Sequence, residues 1–174
     1  MPEIELFSAR TCPFAHRTRL VLIEKGIDIW DTDIDLDDKP EWFHVISPLS
    51  TVPVIRHNDY FIWDSAIINE YLDEIFPHPA LMPAAPAKRA MARFWINYAN
   101  TNLAPAFERC ANASDHGDEA SAAADLRDAF LFMEREGLAK LSRGPYWLGS
   151  EVSLVDFAVY PFLERRLQSL SLIT

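Results

Sequence analysis

The 174-residue sequence is poor in cysteine and glycine, and each scarcity narrows the class of protein. Two cysteines, Cys12 and Cys110, are too few for the disulfide framework of a small secreted domain. They could form one bridge, but a sparse pair without a recognisable signal peptide is more typical of free thiols. Five glycines in a chain that is 49% hydrophobic predict a substantial core in one or two globular domains.

The sequence also lacks an excess of positive charge and any long apolar run. Sixteen basic and 26 acidic residues give a net charge of −10, which argues against nonspecific nucleic-acid binding because that depends on neutralising phosphates. No apolar stretch approaches the roughly 20 residues that cross a bilayer. Residues 1–10 have neither the basic start nor the apolar run of a signal peptide. We therefore expect a cytoplasmic protein that binds neither membrane nor nucleic acid.

The acidic excess is concentrated in residues 1–76, which hold six basic and 15 acidic residues. A run of alternating and paired aspartates contributes much of it: Asp31, Asp33, Asp35, Asp37 and Asp38. No histidine or cysteine is interleaved with these carboxylates, so the run predicts a solvated strand end and loop rather than a metal site. We expect no metal cofactor.

Residues 1–76 alternate between strand and helix patterns. Ile4–Phe7 predicts a strand, Pro13–Lys25 a helix closed by Gly26, and Ile27–Ile34 a second strand. Such a β-α-β unit predicts parallel strands with a right-handed crossover. The further predictions are a short helix at Pro40–Ile46, a hairpin of Val52–Arg56 and Tyr60–Trp63, and a helix from Asp64 or Ser65 up to Pro77. The predicted order is β-α-β-α-β-β-α.

Four prolines, at positions 77, 79, 83 and 86, predict a linker over residues 77–87. Beyond it the sequence shows no strand pattern, only helical spacing at 88–110, at 118–141 and from 153 onward. Ser153 and Asp156 have the spacing of a capping box at the start of the third helix. We therefore predict an α/β domain at 1–76 and an all-helical domain at 88–174.

Cys12 follows the first strand, at the start of the first helix. Free cysteine is often a buried, inert hydrophobe, and that alternative stays open. At a helix start, however, the sulfur lies over unpaired N–H groups and the positive end of the helix dipole, which favours the thiolate. Pro13 suits the first turn, and His16 and Arg17 add cationic groups on the side from which anions approach. The spacing resembles a C-x-x-C motif in which Ala15 replaces the second cysteine, so Cys12 could form a mixed disulfide with a small thiol but has no resolving cysteine at that position.

These elements together resemble a cytosolic glutathione transferase over nearly the whole chain. The run from Cys12 through Phe14 to Ala15 most resembles the cysteine-type classes: omega, lambda and dehydroascorbate reductase. The resemblance implies a thioredoxin-like, glutathione-binding N-terminal domain and an all-α C-terminal domain. Family members usually exceed 200 residues, so we expect the helical domain to be truncated and to lack the final helices that often close the electrophile pocket.

The resemblance also assigns glutathione contacts to loops and strand ends. It implies a cis Val52–Pro53 bond, with the Val52 backbone pairing with the cysteinyl backbone of glutathione like an added strand. Taken alone, Pro53 would be an ordinary edge proline. Lys39 resembles the lysine that reaches the glycyl carboxylate in omega-class members, although a lone lysine is usually solvated. Phe14 is the other residue that the resemblance adds to the glutathione site.

Asp64 and Ser65 match the family's Glu-Ser-x-x-Ile segment, with aspartate in place of glutamate. The resemblance implies that Ser65 donates its hydroxyl and N–H to the γ-glutamyl carboxylate and that Asp64 accepts from the γ-glutamyl ammonium. Both residues could equally serve as helix caps, and one residue could do both.

In the implied mechanism the Cys12 thiolate attacks a glutathionylated substrate or another disulfide, and a second glutathione resolves the adduct. Such an enzyme serves redox or detoxification chemistry, with glutathione as cosubstrate, and the family implies a homodimer. One alternative is conjugation, in which the thiolate of glutathione itself attacks a small electrophile. Another is a noncatalytic regulator like the stringent starvation proteins that bind RNA polymerase, since the acidic first domain would fit a basic partner.

Overall fold

The computed structural model describes residues 3–113 and 116–171. The chain divides into two compact units, Met1–Leu81 and Met82–Thr174, which are described separately. Among the described residues, no helix is long and apolar enough to cross a membrane.

A four-stranded mixed sheet forms the centre of the first unit. Its strands are β1 Ile4–Ser8, β2 Ile29–Asp33, β3 Val54–His57 and β4 Tyr60–Trp63, in the spatial order β2-β1-β3-β4. The helices are α1 Pro13–Glu24, α2 Glu41–Ile46 and α3 Ser65–Ile75. Strands β1 and β2 are parallel, whereas β3 pairs antiparallel with β1 and with β4. The predicted order β-α-β-α-β-β-α and the parallel first pair are confirmed.

The end of α1 shows why β2 begins later than its sequence pattern suggests. Gly26 adopts φ 63°, and its N–H donates to the Ile23 carbonyl at 3.0 Å. The Ile27 N–H donates to the Leu22 carbonyl at 3.0 Å, which completes a double C-terminal cap of the Schellman type. The predicted glycine cap is confirmed. The predicted strand start at Ile27 is wrong, because that backbone N–H closes the helix and the strand begins only at Ile29.

The third strand also begins later than predicted, at Val54 rather than Val52. The first paired residue is Val54, which lies opposite Phe7 of β1. Pro53 explains the difference because a proline has no N–H to donate to the sheet. The Val52–Pro53 bond is cis. At the other end, Asn58 adopts φ 55° in the short turn that leads to β4.

The described part of the second unit is helical. Its α-helices are α4 Pro86–Tyr98, α5 Ala104–Asn112, α6 His116–Phe132, α7 Ala139–Leu141 and α8 Leu154–Ser171. The predicted helices at 88–110 and 118–141 are each interrupted by a π-helical segment, Ala99–Leu103 and Met133–Leu138. Aromatic rings form the core beside these segments, where Trp95 and Trp147 lie 5.3 Å apart between ring centroids.

The capping box before α8 is present, with a wider role than its spacing indicates. The Ser153 N–H donates to Asp156 Oδ2 at 2.8 Å, and the Ser153 hydroxyl donates to the same oxygen at 2.6 Å. The other carboxylate oxygen accepts from the Trp147 N–H at 2.8 Å. Asp156 therefore ties the start of α8 to the segment that carries a core tryptophan.

Replacing Asp156 should destabilise the protein through these three bonds. We expect Asp156→Ala to lower the free energy of unfolding by about 2–3 kcal/mol, since each lost hydrogen bond contributes roughly 1 kcal/mol. Urea unfolding followed by tryptophan fluorescence measures the change. Glu151→Ala is the matched control because Glu151 is exposed and, among the described residues, accepts from the adjacent Ser150 hydroxyl alone, at 3.4 Å. Equal losses in the two variants would show that the box does not stabilise the fold.

Candidate active site

A cleft of about 450 Å³ in the first unit brings the predicted site residues together. It lies among the N-terminal ends of α1 and α3 and the segment that precedes β3. All seven residues that the sequence assigned to the site line it: Cys12, Phe14, Lys39, Val52, Pro53, Asp64 and Ser65. The sequence had missed five further lining residues: Leu36, Leu49, Ser50, Thr51 and Trp63. The fold therefore collects in one cleft residues that are up to 53 positions apart in sequence, Cys12 and Ser65.

Cys12 is the N-cap residue of α1, and Pro13 is the first helical residue. Its carbonyl accepts from the His16 N–H at 3.0 Å, which starts the helix. The residue is 9% exposed and lies on an apolar cluster that includes the fully buried Phe43 and Val54. Cys12 and Cys110 are both free thiols, as the sequence predicts.

The contact made by the Cys12 sulfur differs from the sequence prediction. The thiol points to the Val52 carbonyl, with Sγ and O 3.7 Å apart, and makes no capping hydrogen bond within the described residues of α1. A thiol that donates to a carbonyl is favoured in its neutral form, whereas the positive end of the helix dipole favours the thiolate. The Cys12 sulfur therefore lies between the Val52 carbonyl and the N-terminus of α1.

Asp64 and Ser65 divide two roles at the start of α3. The Asp64 carboxylate accepts from the N–H groups of Ala66 at 2.8 Å and Ile67 at 3.2 Å, so Asp64 is the helix cap. Its backbone adopts φ 69°, an unusual conformation for a residue other than glycine. Ser65 follows as the first helical residue and is 3% exposed. Ser50 also lines the cleft with positive φ, 52°, and strained residues of this kind cluster at functional sites.

Arg17 lies beneath the cleft rather than on its open side. Its side chain is 1% exposed, and its Nη1 donates to Ser65 Oγ at 3.4 Å. The guanidinium carbon lies 4.9 Å from the centre of the Phe14 ring. Burial lowers the pKa of Arg17 to about 10, and the negative charges of Asp64 and Cys12 oppose that shift. The expectation that Arg17 faces approaching anions is wrong, because contacts between α1 and α3 bury it.

The remaining lining is mixed in character. Lys39 is half-buried, just before α2, and supplies the cleft with a cation. Ser50 Oγ is hydrogen-bonded to His44 Nδ1, and Trp63 Nε1 donates to the Ile46 carbonyl at 2.6 Å. Leu36 and Leu49 add partly exposed apolar surface. Leu36, Leu49, Ser50 and Thr51 lie in loops without a periodic pattern, and Trp63 is the last residue of β4, so the sequence did not indicate these five as site residues.

The aspartate run lies along and after β2, and its five aspartates are not among the residues that line the described cleft. Asp31 accepts from the Ser8 hydroxyl at 3.0 Å, and Asp33 accepts from the Arg10 N–H at 3.3 Å. Asp35 accepts from the N–H groups of the two residues that follow it closely, Asp37 and Asp38. Among the residues that the structure describes, no three histidine, cysteine, aspartate or glutamate side chains group as a metal site would require.

Comparison with known proteins gives the family. Residues 11–75, which include all seven predicted site positions, match the family model described as the N-terminal domain of glutathione S-transferase. Over 168 residues the chain is 36% identical to glutathione S-transferase omega-1 of Sus scrofa, covering 95% of this chain and 68% of that protein. The chain belongs to the glutathione S-transferase family. Among solved structures, glutathione transferase Omega 3C from Trametes versicolor matches with a TM-score of 0.84 and 29% identity, covering 96% of this chain and 74% of that one.

This glutathione S-transferase also has relatives with another name. The stringent starvation protein A homolog of Haemophilus influenzae is 33% identical over 159 residues, covering 91% of this chain and 72% of that protein. The cysteine-type likeness in the sequence agrees with the omega-class relatives. The family's N-terminal domain is the part of the chain that carries the cleft and Cys12.

Proposed function

We propose that this glutathione S-transferase carries out glutathione-dependent thiol transfer through a mixed disulfide at Cys12. The observation that carries the proposal is the position of Cys12, at the N-terminus of α1 and within a cleft lined by all the residues expected to bind glutathione. A cysteine in such a position is favoured as a thiolate, and the thiolate is the nucleophile in disulfide exchange.

The reaction has two exchange steps. The Cys12 thiolate attacks the glutathione sulfur of a glutathionylated substrate, forming a disulfide between Cys12 and glutathione while the substrate leaves as a thiolate. A second glutathione thiolate then attacks the glutathione sulfur of that adduct. This step restores the Cys12 thiolate and releases oxidised glutathione, so electrons and atoms balance without a metal.

The cleft has the size and polarity that a tripeptide requires. Its volume of about 450 Å³ lies within the range of small-molecule sites, and it has polar groups in separate parts of its lining. Lys39 supplies a cation for the glycyl carboxylate, whereas Ser65 supplies a hydroxyl at a helix N-terminus for the γ-glutamyl carboxylate. Asp64 and Val52 complete the proposed contacts, to the ammonium and to the cysteinyl backbone, and the Phe14 ring borders them.

Incubation with oxidised glutathione should modify Cys12 before Cys110. Although Cys110 is the more exposed thiol, Cys12 has the helix N-terminus that favours attack. Intact mass spectrometry and peptide mapping should find one glutathionyl group on Cys12, removed again by excess reduced glutathione. The variant Cys110→Ser is the matched control and should form the same adduct. Modification confined to Cys110 would contradict the proposal.

A binding-only function has one observation in its favour, the similarity to stringent starvation protein A homologs. In that case the acidic first unit would bind a basic surface, such as one on RNA polymerase, and Cys12 would be dispensable. The test is whether this protein pulls down purified bacterial RNA polymerase. Binding of the polymerase, together with no glutathione adduct on Cys12 at any glutathione concentration, would favour that function over thiol transfer.

A further inference from the structure

The buried Arg17 touches or acts on four residues of the cleft. Its Nη1 donates to Ser65 Oγ at 3.4 Å, and its guanidinium carbon lies 4.9 Å from the centre of the Phe14 ring. The negative charges of Asp64 and Cys12 interact with the guanidinium. Removing a guanidinium from water is costly unless the surroundings compensate for it. Arg17, which is 1% exposed, has such compensation in its hydrogen bond to Ser65 and its contact with the Phe14 ring.

The bond to Ser65 determines what the serine hydroxyl can do. A hydroxyl carries one hydrogen and can accept through its lone pairs. Because Arg17 has only donors, Ser65 Oγ must accept in this pair, and its own hydrogen stays available to a ligand in the cleft. Donation by a cation also polarises the hydroxyl and strengthens the bond that it donates in turn. Arg17 thus makes Ser65 a donor towards a carboxylate.

The charge of Arg17 also bears on the ionisation of Cys12. The Val52 carbonyl accepts from the thiol and favours the neutral form, with Sγ and O 3.7 Å apart. A fixed positive charge in the same buried region favours the thiolate. The guanidinium remains charged at neutral pH even though burial lowers its pKa to about 10. The ionisable groups that share this region are Asp64 and Lys39, which line the cleft.

We propose that Arg17 is a positioning residue that acts from beneath the cleft on two groups at once, orienting Ser65 as a hydrogen-bond donor and favouring the thiolate of Cys12. The effect on Ser65 rests on the proposed function, since it concerns a carboxylate of glutathione. The effect on Cys12 concerns the protein alone and is tested without glutathione.

The first experiment measures the rate of Cys12 alkylation by iodoacetamide between pH 5 and pH 9, in a Cys110→Ser background. Arg17→Met should slow alkylation about tenfold below neutral pH and move the profile to higher pH, because a buried neighbouring charge is lost. Arg17→Lys restores a charge and should restore most of the rate. Arg19→Met is the control on the same helix, since Arg19 donates to the Ser8 hydroxyl and the Ala9 carbonyl, and neither residue lines the cleft. An unchanged profile in Arg17→Met would overturn the effect on Cys12.

The second experiment measures the affinity of glutathione sulfonate, which cannot form a disulfide, by calorimetry. Arg17→Met and Ser65→Ala should each weaken binding about five- to tenfold, and the double variant should be no weaker than Ser65→Ala alone. Additive losses would overturn the effect on Ser65. If Arg17→Met does not fold, Arg17→Lys replaces it in both experiments. We expect Arg17→Lys to keep the alkylation profile of the unaltered protein and to bind glutathione sulfonate more weakly. If the unaltered protein does not bind the sulfonate, the proposed function fails, while the alkylation profile still tests Arg17.

Discussion

Cys12→Ser should abolish glutathione-dependent disulfide exchange, with turnover falling by at least about a thousandfold. Serine fits the position, because its hydroxyl can donate to the Val52 carbonyl as the thiol does. It cannot form the mixed disulfide, and no other cysteine lines the described cleft. The assay follows oxidised glutathione released from the mixed disulfide of glutathione and 2-mercaptoethanol.

One control variant and a second assay complete this experiment. Cys110→Ser should keep full activity, since Cys110 lies on α5 in the other unit. Conjugation of glutathione to 1-chloro-2,4-dinitrobenzene distinguishes the alternative chemistry, in which the sulfur of glutathione attacks and Cys12 is not the nucleophile. A Cys12→Ser protein that retains exchange within tenfold of the original rate would exclude the mixed disulfide. One that loses exchange but still conjugates would show that the cleft binds glutathione and that Cys12 alone provides thiol transfer.

The features that could be predicted from the sequence have local causes. Pro13 fixes the first turn of α1, and Gly26 with φ 63° ends it, so both boundaries follow from residues within the helix or next to it. The same is true of Asn58 in the hairpin turn and of Ser153 with Asp156 before α8. The residues that line the cleft were predicted from the family resemblance, because no local pattern relates Lys39 to Ser65.

The features that could not be predicted depend on contacts between distant segments. The charge of Arg17 led us to expect that it faces approaching anions, but the side chain is buried and donates to Ser65 of α3, 48 positions later. The Cys12 thiol meets a carbonyl 40 positions away, although its own helix supplies nearer N–H groups. The two π-helical segments likewise interrupt helices that the sequence predicts as continuous, beside an aromatic core. A hydrophobic periodicity of 3.6 residues does not indicate such interruptions.

Lys25→Met should destabilise the protein by about 3–5 kcal/mol, the largest stability change that we expect of a single substitution outside the cleft. The Lys25 side chain is fully buried, and its Nζ donates to Asp73 Oδ1 at 2.8 Å. The same nitrogen donates to the carbonyls of Phe76 at 2.6 Å and Pro79 at 2.8 Å. Methionine fills the space but leaves three acceptors without this donor. Urea unfolding measures the loss.

Two controls separate the buried pair from a general effect of lost charge. Arg56→Met removes a more exposed pair, Arg56 with Glu5 at 3.0 Å, and should cost less than about 1 kcal/mol. Asp73→Asn added to Lys25→Met should cost less than the sum of the two single changes, because the pair is lost only once. A Lys25→Met loss no larger than that of Arg56→Met would show that the pair does not stabilise the fold.

The position of Lys25 makes a further comparison possible. Lys25 follows the last residue of α1, whereas Cys12 caps its first, about 18 Å away along a 12-residue helix. At that distance the Lys25 charge, which is paired with Asp73, has little effect on the thiol, so Lys25→Met should lower stability while the folded protein keeps its Cys12 alkylation rate. Arg17→Met should instead change the rate of Cys12 alkylation, even in protein that remains folded. A Lys25→Met protein with altered alkylation under native conditions would mean that the two ends of α1 are coupled, so that rates in any α1 variant would have to be corrected for local unfolding.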